Sequence, residues 1–523
     1  MRFRRVAISI LCAGALAVLP AAAVDVSQYG AQGNGVADDT AALQTAINST
    51  AAGSVLTFGG PGNVYLISAR LIFLPGRAYQ GQGTIRMNPA TASHTAIAKL
   101  SYGAANQVSI SGITFDANGV GGGLQLAVDG GGAIPADSVT ISNAIFRNTT
   151  QYPAGPWDSA IYAPVGLTNA EIANNQIVNC GEGIYLGDLN NVTISGNSFQ
   201  RVHAGDAISV TFSPAPFVYG HKIQITQNNG QHLGRMGVEL WPNGGNTAQT
   251  SQVAGAVISS NMFSDWDTGY DPNTFGISAM AGTATVIQNN KLMGPGGGYG
   301  IELGSAQSTV AQNTVQGFSS GIILHDCANS IVNNNLATGQ ATDGIEFSNA
   351  PGSRAGVVVT NNTIVDAQAL GIYVNTSAWG GTTLRGNFIA RAAGAYASDN
   401  SQGYTAIGIT PPATPVNVVS NMIVQTATAG PSNFGFIGIR VNGGSGTNSG
   451  STYNQNTILS YMMLTQSYGL DGNSPGSLDG ASIQGNSFSG LFSASGGASS
   501  NGALISGNLI YNCAQVGPIS LVL

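Results

Sequence analysis

A six-residue phrase, apolar-x-x-Asn-x-apolar, recurs through most of this chain and leaves few folds open to it. It reads Ile172-Ala-Asn-Asn175-Gln-Ile177, then Ile194-Ser-Gly-Asn197-Ser-Phe199, then Ile258-Ser-Ser-Asn261-Met-Phe263. Further copies centre on Asn290, Asn313, Asn334, Asn362, Asn387, Asn421, Asn456, Asn486 and Asn508, with a degenerate one at Asn228. Thirteen copies between positions 175 and 508 give a mean spacing of about 28 residues, a period that signals a stacked solenoid. Earlier copies lacking the Asn begin at Ile110 and Ile141. The runs around each copy are short, alternating and rich in β-branched residues, which excludes helical repeats. Asn suits the position because it tolerates a left-handed backbone and its amide can bond to a neighbouring turn. Stacked copies are therefore expected to form an internal ladder.

A second phrase, Gly-apolar-x-apolar, lies between the copies of the first. Examples are Gly183-Ile184-Tyr185-Leu186, Gly300-Ile301-Glu302-Leu303, Gly344-Ile345-Glu346-Phe347 and Gly371-Ile372-Tyr373-Val374. Each coil then has one strand of this kind, a variable loop, a strand entering the Asn turn and a short strand leaving it. Three strands per coil predict an all-β fold, a parallel β-helix of roughly 16 coils over residues 61–523.

The ends and the composition fit an exported chain. Arg2, Arg4 and Arg5 precede an apolar run from Val6 to Leu19 and the small residues Ala21, Ala22 and Ala23, which reads as a signal peptide over residues 1–23. The run is too short to span a bilayer, so a membrane partner is not expected. Without those three arginines, 13 basic residues face 23 acidic ones, and an acidic surface excludes a nucleic-acid partner. Only 7% of the chain is charged, so its solubility rests on Asn, Ser, Thr and Gly rather than on the Lys and Glu of a helical bundle. Cys180, Cys327 and Cys513 fall several coils apart, beyond disulfide reach, and are expected as packing residues.

Residues 24–60 form a separate opening: Asp25-Val-Ser-Gln-Tyr29-Gly30-Ala31-Gln-Gly33-Asn-Gly35-Val-Ala-Asp38-Asp39-Thr40-Ala41-Ala42-Leu43-Gln44. This stretch resembles the start of right-handed parallel β-helix proteins of the pectate lyase-like superfamily, in its rhamnogalacturonase and epimerase-like branch, with polygalacturonases as relatives. Some 25 residues carry the match in detail, and the coil pattern extends it loosely to the C-terminus. The resemblance implies a right-handed helix, and the acid pair predicts an N-terminal capping helix over Thr40–Asn48 started by Asp38 or Asp39.

In Gly-apolar-x-apolar the two apolar residues point inward and x points out. Read coil by coil, x is Tyr162, Tyr185, Ser209, Glu239, Ser278, Glu302, Ile323, Glu346, Tyr373, Gly408 and Arg440. Three of the five glutamates in the chain stand in this row at alternate coils. His325 and Asp326 follow the strand between Glu302 and Glu346, and Asp343 precedes Glu346. The residue two before x is Gly or Ala in every coil, which predicts a shallow trough along this face. Carboxylates for hydroxyl groups and aromatic rings for sugar faces suit a linear glycan. The candidate catalytic residues are Glu302, Glu346, Asp326, Asp343, Glu239 and His325. The candidate substrate contacts are Tyr162, Tyr185, Trp241, Trp266, Tyr373, Trp379 and Arg440, several of them on loops expected to wall the groove.

Glu302 and Glu346 are two coils apart, ~9.6 Å at the backbone for strands ~4.8 Å apart, near the ~6.5–9.5 Å of inverting glycosidases. Ala341-Thr342-Asp343-Gly344 resembles the Asn-Thr-Asp-Gly motif of polygalacturonases, which places Asp343 at its catalytic aspartate. The chain departs from that family in lacking the Asp-Asp pair one coil on, Gly-His-Gly and Arg-Ile-Lys. The leading reading is a secreted glycoside hydrolase acting on a polysaccharide, with no cofactor required. Two others stand beside it. A uronate lyase or C5-epimerase would use His325 or Tyr373 as base and Arg440 or Arg235 to neutralise the uronate. A glycan-binding, adhesin-like solenoid would have no turnover. Asp265, Asp267 and Asp271 alternate as in calcium loops but lack the bidentate Glu, since Gly276 stands at the twelfth position. His94, His203, His221 and His232 have no zinc-ligand spacing.

Overall fold

The buried asparagines set the architecture. In the computed structural model, Asn313 donates its backbone N–H and its Nδ2 to Oδ1 of one asparagine in the next coil, each at 2.9 Å. Its Nδ2 also donates to the Ile287 carbonyl of the preceding coil, at 2.9 Å. The same three bonds repeat from Asn175, through Asn228, to Asn486 and its contact with Asn508. Each amide is buried and its donors and acceptor are used, as a buried polar side chain requires.

Two details differ from the sequence reading. The rung between Asn313 and Asn362 is Asn335, not Asn334. Asn334 is the residue before the rung and carries the left-handed backbone, φ 55°. The same holds at Asn174, Gln312 and Gly196, with φ of 57°, 58° and 65°. The turn's strain thus sits on the residue before the rung. At Ala144 the ladder has no amide, and the Ala144 N–H simply donates to Asn175.

Around the ladder run three parallel sheets, which among the described residues hold 19, 18 and 16 strands. One contains the strands entering the Asn turn, such as Thr309–Ala311, and a second those leaving it, such as Thr314–Gln316. The third contains the Gly-apolar-x-apolar strands, such as Tyr299–Leu303 and Asp343–Phe347. Its 16 strands agree with the number of coils expected. Between the two ends each strand pairs in parallel with its counterparts in the neighbouring coils, so inward side chains stack in files. Phe115 and Phe146 stack at 5.0 Å between ring centres, while Ile184, Leu186, Ile301 and Leu303 are fully buried.

Helix α1 (Thr40–Ser49) closes the first coils with Leu43, Ala46 and Ile47 turned inward. Asp39 holds the N-cap position without a side-chain capping bond, and Asp38 before it accepts from the Thr40 N–H at 3.0 Å. Asp39 instead accepts from the amides of Gln32 and Gly33. Sheet pairing reaches into this opening, since Ala23–Asp25 pairs with Val55–Thr57. Cys180 and Cys327 are buried and Cys513 is half-buried, and the three are not joined in disulfides among the described residues.

The structure describes residues 23–90, 95–100, 107–126, 136–150, 158–212, 221–242, 254–267, 274–348, 355–375, 379–392, 404–410, 415–426, 435–442, 450–461, 467–472, 477–496 and 502–515. The leader expected over 1–23 lies outside them except for Ala23.

Candidate functional site

Strand pairing in the third sheet puts the row of x residues in register. Tyr162 pairs with Tyr185, Ser209 with Glu239, Ser278 with Glu302, and Ile323 with Glu346, followed by Tyr373, Gly408 and Arg440. The row continues beyond the residues read from the sequence, to Lys99 and Gln125 before it and Asp471 after it.

The glycines two positions before x do not floor a trough. A Cβ on Gly344 would meet the Ile364 side chain and the Gly371 carbonyl, and one on Gly300 would meet Val315. These glycines face the core at a bend, and the regular pairing skips them. The bend brings the residue before each glycine round to the outer face. Ser320 stands there, and its hydroxyl donates to Glu346 Oε2 at 3.0 Å. Simple alternation would have buried this position, so Glu182, Asp206 and Tyr299 were missed as site residues. Their signal was the polar or aromatic residue that precedes the glycine or alanine in most coils.

Two groups of carboxyls result. In the first, Glu302 accepts from the Ser278 hydroxyl at 2.6 Å and lies 3.0 Å from Nε2 of His325. The geometry of that contact does not make a hydrogen bond. The other ring nitrogen, Nδ1, is 2.6 Å from the Ser348 hydroxyl. Asp343 is buried, and its Oδ1 accepts from the Leu370 N–H at 3.1 Å. Burial first, and then the Glu346 charge, push the Asp343 carboxyl up to about 7. Tyr299, whose ring lies 5.3 Å from that of Phe275, is raised by burial and by the charges of Glu346, Glu302 and Asp343. Tyr373 is raised by burial and by Asp343 and Glu346. Asp326 follows His325, half-buried, at the end of the strand.

The second group surrounds Arg235. Its guanidinium donates to Asp206 at 3.0 Å and to Glu239 Oε1 at 3.0 Å, while Glu239 Oε2 accepts from Ser209 at 3.1 Å. Burial and the Glu239 charge push Glu182 up to about 8, and the same two causes raise Asp206 well above the usual range.

The aromatic candidates separate. Tyr162 and Tyr185 stack at 5.3 Å, and Trp241, two residues beyond Glu239, is half-buried on the same strand. Trp266 and Trp379 are corrected. Trp266 packs edge-on against Phe318 with its Nε1 bonded to the Arg235 carbonyl. Trp379 is fully buried against Phe347. Neither offers a ring face to a sugar, since these large apolar rings are covered by the core. Trp379 instead donates to the Ser348 carbonyl at 3.0 Å, which braces the residue that holds His325. Arg440 is paired with Asp471 at 3.1 Å. Asp265 and Asp267 are exposed and Asp271 lies outside the described residues, among which no three His, Cys, Asp or Glu gather to hold a metal ion.

The three parallel sheets and the buried ladder together define a solenoid class. The family described as "right handed beta helix region" matches residues 126–314 and 237–410, and the chain belongs to it. No curated protein matches. Among solved structures, tailspike protein 3 of bacteriophage CBA120 is 13% identical over 78% of this chain and 62% of its own, with a TM-score of 0.42. This chain thus spans less than two thirds of that protein. The A-module of the Azotobacter vinelandii mannuronan C-5 epimerase AlgE4 is 15% identical over 96% of this chain and 97% of its own, TM-score 0.34. The tailspike of E. coli bacteriophage HK620, solved with a pentasaccharide, is 10% identical over 93% and 78%, TM-score 0.38. None of the three superposes closely enough to assign a role to any residue here.

Proposed function

We propose that this protein is an exported glycoside hydrolase that cleaves a linear polysaccharide in the groove on the third sheet. The observation that carries the reading is the meeting of Asp343, Glu302 and Glu346 on one outward face, with the Asp343 carboxyl holding its proton near neutral pH. Asp343 is the general acid and gives that proton to the glycosidic oxygen as the bond to the anomeric carbon breaks. Glu302, fixed by Ser278 and His325, is the base and takes a proton from the water that attacks the opposite face of the sugar. Their strands are two coils apart, ~9.6 Å, which leaves room for that water and favours inversion. Glu346 keeps Asp343 protonated by its charge. Tyr299 and Tyr373 border the reacting sugar, and Tyr162 with Tyr185 form a stacking platform further along.

Glu302→Gln keeps the shape and removes the titratable group. Release of reducing ends should fall ~10²–10⁴-fold with thermal stability unchanged. Full activity in this variant, together with loss in His325 or Arg440 variants and unsaturated uronate in the product, would transfer the chemistry to the lyase or epimerase reading.

A further inference from the structure

Carboxyls outnumber cations along the row, and every cation among the described residues that might balance them can be traced. On the third sheet and its outer face stand Glu182, Asp206 and Glu239, then Glu302, Asp343 and Glu346, and finally Asp471. Against them are two arginines and one histidine. Arg235 is bound by Asp206 and Glu239, Arg440 by Asp471, and His325 faces Glu302.

The chain's other cations lie elsewhere. Lys99 is in the row, but seven coils before Glu302 by strand register, ~34 Å away at the usual strand spacing. Arg70 donates to Gln125, one coil nearer, at 3.1 Å. Arg2, Arg4 and Arg5 belong to the leader, and Arg354 and His94 lie outside the described residues. The rest are on the entering and leaving strands or the turns that begin them, as with Arg385 and Lys291.

From this census we propose that the glycan taken by the groove carries no carboxylates: the substrate is a neutral linear polysaccharide, and polyuronates are rejected by the row Glu239, Glu302 and Glu346. The proposal rests on the glycosidase reading and adds its substrate class. A uronate at the cleavage point would set its own carboxylate against the carboxylates of Glu302 and Glu346, with no uncommitted cation among the described residues in reach. Burial and neighbouring carboxylates already disfavour further negative charge on this face, as the proton held by Asp343 reflects.

A matched pair of ligands tests this on the whole protein. Oligogalacturonate is compared with the same oligomer after reduction of its carboxyls to hydroxymethyl groups, beside neutral glucan, mannan, xylan and galactan oligomers. Binding is measured by calorimetry and cleavage by reducing ends. A neutral oligomer should bind, and the reduced ligand should bind at least ~10-fold more tightly than its uronate parent, with the gap narrowing as salt screens the row. Glu239→Gln/Glu302→Gln/Glu346→Gln should narrow it as well. Uronate binding as tight as that of the reduced form overturns the proposal, and so does binding of no neutral oligomer. Neutral binding without any release of reducing ends would instead sink the hydrolase reading and leave the charge selection standing.

Discussion

Replacing Asp343 by asparagine should abolish turnover and yet stabilise the protein above neutral pH. The Asp343 carboxyl is only 7% exposed and is raised from 3.8 to about 7, by burial first and then by Glu346. Between those two values the folded chain keeps a proton that the unfolded chain has released. Stability therefore falls as pH rises through that window, and the full cost is present above it. The window is about 3 pH units wide, and at ~1.4 kcal/mol per unit the cost is on the order of 4 kcal/mol. Asparagine has no such cost and keeps an oxygen for the Leu370 amide. Glu182 and Asp206 are raised in the same direction, but they are common to both proteins and cancel in the difference. Urea denaturation at stepped pH should show variant and wild type nearly equal near pH 4. The variant should gain steadily to about 4 kcal/mol by pH 8, with equal m-values throughout. A difference that stays flat with pH, or a variant that is weaker at pH 8, would refute the assignment of a held proton to Asp343.

Three further substitutions have outcomes set by the geometry. Asn313→Ala orphans the Asn290 N–H and the Ile287 carbonyl inside the solenoid, and should cost about 2–4 kcal/mol at one or two per buried group. Asn508→Ala, at a part-buried rung with an asparagine neighbour on one side only, should cost about 1 kcal/mol or less in the same denaturation assay. Tyr185→Ala removes half of the Tyr162 stack and should raise KM more than it lowers kcat, because stacking serves ground and transition states alike. A fall in kcat with KM unchanged would place Tyr185 in the chemistry instead.

The register was legible from sequence because each third-sheet strand has one wet position between two buried ones, and glycine marks its start. That pattern gave the order from Tyr162 to Arg440 without an error of phase. Glu182, Asp206 and Tyr299 were hidden by the same glycines, whose bend reverses the alternation one residue upstream. Trp266 and Trp379 misled because a tryptophan beside a loop carries no signal of which way it turns. Asn334 and Asn335 are adjacent and chemically identical, so only the hydrogen bonds separate rung from turn. The pairing of Arg440 with Asp471 was out of reach because Asp471 belongs to a coil whose phrase, Gly469-Leu470-Asp471-Gly472, had not been included in the row.

The constancy of the Asn corner bears on how such a chain changes over time. Two residues always separate the strand entering the turn from the strand leaving it, as between Thr309–Ala311 and Thr314–Gln316 or Asn417–Val419 and Met422–Gln425. Successive rungs are nevertheless 22 residues apart at Asn313 and 35 apart at Asn421. Most of that difference enters at the two corners that flank the third sheet. An insertion or deletion there lengthens a bank of the groove while the rungs on either side hold the coil in phase. Selection, or a designer exchanging loops, can thus rework what the groove admits without moving its floor.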